Sequence, residues 1–220
     1  MKKDNSKQSR ILEEVFLTDI KRQEETLANL DRDAFKLAAD TILKAKRIYV
    51  VGVRSCAPLA EILAFYLNLV MDNVRCIQTN NTSEIFEQMI RINEDDVIIG
   101  ISFPRYSMRT LKAMEFANDR NAKVIAITDS IHSPMNLYSS CNLLARSDMV
   151  SIVDSLVAPL SVINALVVAL CIKRPKEVKK NLEMLEETWN NYQVYLNDEI
   201  NFIDDEPMLN YSLRKEGKRK

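Results

Sequence analysis

Between Ile101 and Leu111 the chain reads Ser102-Phe103-Pro104-Arg105-Tyr106-Ser107-Met108-Arg109-Thr110. The stretch combines hydroxyl groups with two guanidinium groups, Arg105 and Arg109. Hydroxyls donate hydrogen bonds to anionic oxygens, and arginine does so bidentately. Ser107 stands where a helix would start, and the free N–H groups and partial positive charge of a helix N-terminus attract phosphate. Taken singly the residues are ordinary: Ser102 can cap a turn and Ser107 can cap the helix. Arg105 followed by Tyr106 at a helix start is harder to explain by packing. The chemistry these side chains could perform together is the binding of an anion that also carries hydroxyls, and a sugar phosphate is such a ligand.

Two apolar runs flank the loop. Val97-Ile98-Ile99-Gly100-Ile101 precedes it, behind Glu94, Asp95 and Asp96, and Val124-Ile125-Ala126-Ile127 follows the helical spacing of Leu111, Met114 and Ala117. Short β-branched runs around an amphipathic helix predict a strand–helix–strand crossover and hence parallel strands. In such units ligands bind where the chain leaves the carboxyl end of a strand. The pattern repeats along the chain. Arg47 to Val53 and Val74 to Ile77 read as strands, and Asn142-Leu143-Leu144 as a weaker fifth. Helical faces are formed by Phe35, Ala38, Ile42 and Leu43, with Asp31 or Asp33 as cap; by Leu59, Ile62, Leu63 and Tyr66 after Pro58; and by Ile85, Phe86, Met89 and Ile90. The expected fold is α/β, a three-layer α/β/α sandwich around a five-stranded parallel sheet. Three loops, Gly52 to Ala57, Gln78 to Ser83 and Ser102 to Thr110, should meet at its carboxyl edge. They offer Arg54, Ser55, Asn80, Asn81, Thr82 and Ser83 beside the residues named above.

With 220 residues, the chain has room for one domain of roughly 150 residues and flanking helices. The expected division is a helical arm over 1–30, a binding domain over 31–175, and a C-terminal helix with a basic tail over 176–220. Within the last part, Val178, Leu182, Leu185, Trp189, Tyr192 and Leu196 form a short coiled-coil-like stripe, suited to packing on its own domain or on a second subunit. The formal net charge of −1 gives no general attraction to nucleic acid or anionic membrane. Cys56, Cys76, Cys141 and Cys171 form no C-x-x-C pair, and no apolar leader follows Met1. Free thiols in a reducing cytoplasm are therefore expected. Leu156 to Ile172 is nearly all apolar but short for a membrane span, so it is expected as a buried helix between the sheet and a partner subunit. No metal or cofactor is expected.

From about Asp33 to Ile172 the chain resembles the SIS (sugar isomerase) phosphosugar-binding domain, and more closely the sensor domain of RpiR-type transcription regulators. In that family the third strand runs into Ser-x-Ser-Gly-x-Thr, which holds the sugar phosphate. Here the motif falls on Ser102-Phe103-Pro104-Arg105-Tyr106-Ser107, with Ser107 in the threonine's place and Pro104-Arg105 replacing Ser-Gly. Proline removes one backbone donor, and Arg105 is a candidate substitute. The family's first loop, a glycine turn ending in serine, matches Gly52-Val53-Arg54-Ser55-Cys56, with Ser55 or Cys56 in the serine's place according to register. Ile127-Thr128-Asp129-Ser130 and Ser133-Pro134 are also similar to the family. The resemblance implies a flavodoxin-like sheet, and together with the reading of the strand-end loops it gives an expected ligand site at Gly52, Arg54, Ser55, Cys56, Ser83, Ser102, Phe103, Arg105, Tyr106, Ser107 and Thr110. The apolar Leu156 to Ile172 helix and the C-terminal stripe lead us to expect a homodimer or higher homo-oligomer. RpiR-type regulators read DNA through an N-terminal helix-turn-helix domain, whose pattern the first thirty residues do not show.

Three functions compete. The favoured one is a non-catalytic sensor of sugar phosphate. The second is an aldose–ketose isomerase, which needs a base such as Glu61, Glu84, Glu87 or the only histidine, His132. The third is a module acting only through subunit pairing.

Overall fold

The computed structural model describes residues 4–79, 81–150 and 152–194, so Asn80, Leu196 and the basic tail lie outside the described residues. Strands β1 (Ile48–Gly52), β2 (Val74–Ile77), β3 (Val97–Ile101), β4 (Lys123–Thr128) and β5 (Cys141–Leu144) form one parallel sheet in the order β2-β1-β3-β4-β5. Every residue of β1 and β3 is buried, which is why both read as unbroken apolar runs rather than alternating ones.

Successive side chains of a strand point to opposite faces, and the sheet sorts them into two cores. Ile48, Val50, Ile99 and Ile125 pack with helices α2 (Arg32–Lys44), α3 (Ala57–Leu67) and α6 (Val157–Lys173). Tyr49, Val51, Ile98 and Val124 pack with α4 (Thr82–Met89) and α5 (Met108–Asn118). This is the expected three-layer sandwich. Asp31 caps α2, accepting from the N–H groups of Asp33 and Ala34. Gly100 lets α5 sit directly on β3: a Cβ there would lie 2.4 Å from Met114 Sδ.

At the amino edge of the sheet, Asp96 is fully buried and accepts from Arg47 Nε at 3.0 Å and Nη2 at 2.8 Å. It also accepts from the Asn93 N–H at 2.9 Å. The acids ahead of β3 are thus not all solvated; one locks β1 to the β3 entry.

The N-terminal helix α1 (Asp4–Asn29) packs along α6. Helix α7 (Pro175–Tyr192) follows α6 after a 102° bend and docks through Val178, which is buried, and Leu182. Among the described residues no single helix is long and apolar enough to cross a membrane. A feature the sequence did not announce is the antiparallel hairpin of β6 (Met149–Val150) and β7 (Val153–Asp154). Two-residue strands carry too little periodicity to be read.

Removing Asp96 would leave the Arg47 charge and the Asn93 amide without their partner. Asp96→Ala is expected to lower unfolding stability by about 3–5 kcal/mol, read as a shifted urea midpoint at unchanged slope. A loss below about 1 kcal/mol would show that the pair adds nothing beyond a surface bridge.

Candidate functional site

Neighbouring strands β1 and β3 pair Gly52 with Ile101, so both chains leave the sheet at the same level. From there they part. The β1 exit turns into α3 on one face and the β3 exit into α5 on the other, at the switch in strand order where open α/β sheets take their ligands. Gly52 is required by the tightness of the first turn, because a Cβ would lie 2.6 Å from the Cys56 carbonyl oxygen. A 3-10 turn, Arg54–Cys56, follows, closed by the Cys56 N–H donating to Val53 O at 3.2 Å. Arg54 is held at φ 56°, a left-handed conformation costly for a side chain with a Cβ.

Beside this turn lies a cavity of about 430 Å³, lined by Gly52, Val53, Arg54, Ala57, Glu61, Cys76, Ile77, Gln78 and Thr79. Its volume lies in the range of small-molecule sites. Cys76 is half-buried there, and burial pushes its thiol pKa up to about 11, with Glu61 acting in the same direction.

Gly52 and Arg54 thus line the cavity. Ser55 is exposed and donates to Asp154 Oδ2 at 3.1 Å. Cys56 is buried, and burial raises its thiol pKa while a hydrogen bond from the Phe103 backbone opposes the rise. That contact joins the β1 and β3 loops. In the second loop Ser102 Oγ accepts from the Ser107 N–H at 3.0 Å, and Ser107 Oγ caps α5 by accepting from the Arg109 N–H at 3.2 Å. In these bonds the serines spend acceptor capacity only, and neither O–H donates to a partner among the described residues. Arg54, Arg105 and Arg109 are exposed and form no ion pair among the described residues.

Four other positions sit differently. Phe103 is 4% exposed and belongs to the hydrophobic core, leaving its backbone to the loop. Tyr106 donates to Asp129 Oδ1 at 2.9 Å, and burial followed by that carboxylate raises its pKa. Thr110 is fully buried with its hydroxyl unpartnered. Ser83 stands in the first turn of α4, where its hydroxyl donates to the cap residue Asn81 at 2.9 Å. Of the candidate bases, Glu84 is taken up by Thr79 Oγ1 at 2.5 Å and Asn81 Nδ2 at 3.2 Å, and His132 is exposed. Glu61 alone among them lines the cavity. Sequence reasoning did not single out Gln78, Thr79 or Asp154 as site residues. The first two lie in a loop already expected at the strand ends, whereas no local signal marks Asp154. Among the described residues, no group of three or more His, Cys, Asp or Glu could hold a metal ion.

Residues 41–169 match the model of the SIS domain. The chain belongs to the SIS domain family. Among solved structures it is similar to the sugar isomerase domain of an RpiR transcription factor from Sphaerobacter thermophilus, with a TM-score of 0.76 and 25% identity over 79% of this chain and 97% of that one. The NanR protein of Vibrio vulnificus, complexed with ManNAc-6P, superposes with a TM-score of 0.74 at 19% identity, over 88% of this chain and 73% of that one, a likeness of fold. An HTH-type transcriptional regulator of Haemophilus influenzae is 29% identical over 116 residues, which are 53% of this chain and 40% of the relative. The chain spans about half the length of the curated relatives it matches.

Cys76 reports on the SIS cavity without a ligand. A thiol moved from 9.0 to about 11 has roughly a hundredfold less thiolate at pH 8. Iodoacetamide modification of Cys76, followed by mass spectrometry, is expected to be correspondingly slow at pH 8 and to accelerate steadily up to pH 11. A rate that levels off near pH 9 would contradict the buried setting.

Proposed function

We propose that this chain is the sugar-phosphate-sensing part of an RpiR-type transcription regulator and binds its ligand without turning it over. In this reading residues 31–175 form the binding domain, 1–30 an arm, and 176–220 a C-terminal helix and tail. DNA is contacted through a helix-turn-helix domain rather than through these residues. A cytoplasmic setting agrees with the free cysteines Cys56, Cys76, Cys141 and Cys171.

One observation carries the proposal. Arg54 and Arg105, without ion-pair partners among the described residues, and the hydroxyls of Ser102 and Ser107, which donate to none of them, stand on the paired exits of β1 and β3, and a sugar-sized cavity adjoins the β1 exit. The guanidinium groups and hydroxyls suit the phosphate, and Gln78, Thr79 and Glu61 suit the hydroxyls of the sugar. NanR, whose fold this chain shares, was solved with a phosphorylated sugar bound. Glu61 also gives the isomerase reading its one foothold. A lone carboxylate lining the cavity satisfies the hydroxyl-binding role equally well, and Glu84 is already engaged as part of a helix cap.

Calorimetry against a panel of sugar phosphates and sugar acids tests the reading. At least one phosphorylated sugar is expected to bind, with Arg54→Ala, Arg105→Ala and Ser107→Ala each weakening it about tenfold, or 1.4 kcal/mol. No heat from any member, or indifference of all three variants, would sink the sensor. Conversion of hexulose or pentulose phosphate in the same solutions, abolished by Glu61→Gln, would replace it with the isomerase.

We also propose a homodimer. Leu12, Phe16, Leu17 and Ile20 of α1, Phe65 of α3, and Val168 and Ile172 of α6 are each more than 40% exposed. Large apolar residues exposed on three helices, two of which pack on α6, fit a second copy. Sedimentation velocity at micromolar concentration is expected to show a dimer, which Phe16→Glu together with Phe65→Glu converts to monomer. A wild-type protein that sediments as a monomer refutes the pairing.

A further inference from the structure

The hairpin that the sequence left unannounced ties the site to the first helix. On its outgoing strand Asp154 accepts from Ser55, a residue of the β1 exit, at 3.1 Å. The next residue, Ser155, donates to Asp19 Oδ1 of α1 at 2.6 Å. Asp19 in turn accepts from Arg22 at 3.1 Å, whose side chain is 6% exposed. On the incoming side Arg146 holds Asp148 at 2.9 Å, and its backbone N–H donates to Thr26 of α1 at 3.0 Å. Ser147 closes the base of the hairpin by donating to the Ser155 carbonyl at 3.0 Å. One short segment is therefore fastened to the ligand-facing loop at one residue and to α1 on both of its legs.

Charge decides what this does. Ser55 follows the cavity-lining Arg54 on the β1 exit, so on the sensor reading the Asp154 carboxylate occupies a hydroxyl that an anion bound there would use. Two anions cannot share one donor without strong repulsion, and the carboxylate is the weaker partner once a doubly charged group with several acceptor oxygens arrives. We propose that Asp154 is a resident counter-ligand: it holds Ser55 in the empty protein, is displaced when an anion binds, and on leaving shifts the grip of the hairpin on α1. This inference rests on the sensor reading for its trigger and adds the route by which occupancy reaches the N-terminal helix. The two states it requires are Asp154 on Ser55 and Asp154 released, each with its own contacts, as a switch must have.

Two measurements on the full chain separate the latch from its trigger. Hydrogen–deuterium exchange is followed over residues 19–26 without ligand, and calorimetry uses inorganic phosphate as the probe. Breaking the latch in Asp154→Ala or in Ser55→Ala is expected to speed exchange of that α1 segment about tenfold in the empty protein. Asp154→Asn, which keeps an acceptor for Ser55 but removes the charge, is expected to leave exchange near wild type and to bind phosphate about five- to tenfold more tightly. Saturating phosphate is expected to speed exchange of the same segment in the wild type. Unaltered α1 exchange in both Asp154→Ala and Ser55→Ala overturns the latch, even if sugar phosphates bind. Phosphate binding that Asp154→Asn weakens makes Asp154 a ligand contact and overturns the competition. If the wild type binds neither phosphate nor any sugar phosphate, the sensor reading fails and the displacement fails with it, whereas loosened α1 in Ser55→Ala still upholds the tie from the β1 exit to α1.

Discussion

A sheet buried on both faces is the constraint from which the rest follows. Because β1 and β3 are covered above and below, the backbone exits at their carboxyl ends cannot spread sideways and must climb to one face or the other. The chain after β1 goes to the α3 side and the chain after β3 goes to the α5 side. Their parting is a consequence of topology, not of any particular side chain. Two glycines mark close approaches along these strands: Gly52 beneath the Cys56 carbonyl and Gly100 beneath Met114. A side chain at Gly52 would collide with backbone and displace the turn, whereas one at Gly100 would force the thioether of Met114 aside.

Electrostatics then distinguishes the two ends of the sheet. At the amino edge the buried carboxylate of Asp96 is matched by Arg47 and a backbone amide, a closed arrangement with nothing left to offer. At the carboxyl edge Arg54 and Arg105 are exposed without ion-pair partners among the described residues. A closed pair adds to stability or specificity of the fold, whereas unpaired cations at a strand exit add nothing to it. The asymmetry separates an edge whose charges are matched from one whose cations are exposed, in a chain whose formal net charge is only −1.

Much of this could be read in advance because the governing signals are local. Continuous β-branched runs announced β1, β3 and β4, helical spacing after Pro58 and Ser107 announced α3 and α5, and an aspartate ahead of Phe35 announced the cap of α2. The roles of single side chains were less legible. Phe103 looks like a loop residue beside a ligand but is drawn into the core by the turn that follows β3, and Thr110 is likewise buried. Tyr106 is held by Asp129, more than twenty positions away, a contact set by sheet order and not by spacing. Asp154 was invisible for the same reason: its partner Ser55 lies 99 residues earlier, and the hairpin that presents it has strands too short for any periodicity.

The hydroxyls of the site show how folding and binding can share atoms. Ser102 and Ser107 each accept a backbone N–H, which organises the loop and starts α5, and this consumes a lone pair while leaving the O–H to donate. A ligand anion needs donors, so these two serines can build the helix start and serve the ligand at once. Ser55 differs because its bond to Asp154 uses the proton itself. The hydroxyl has only one to give. Structure and ligand therefore compete at Ser55 and nowhere else among the three serines. On the latch proposal, Ser55 is the one of these three serines at which the occupied and the empty states differ.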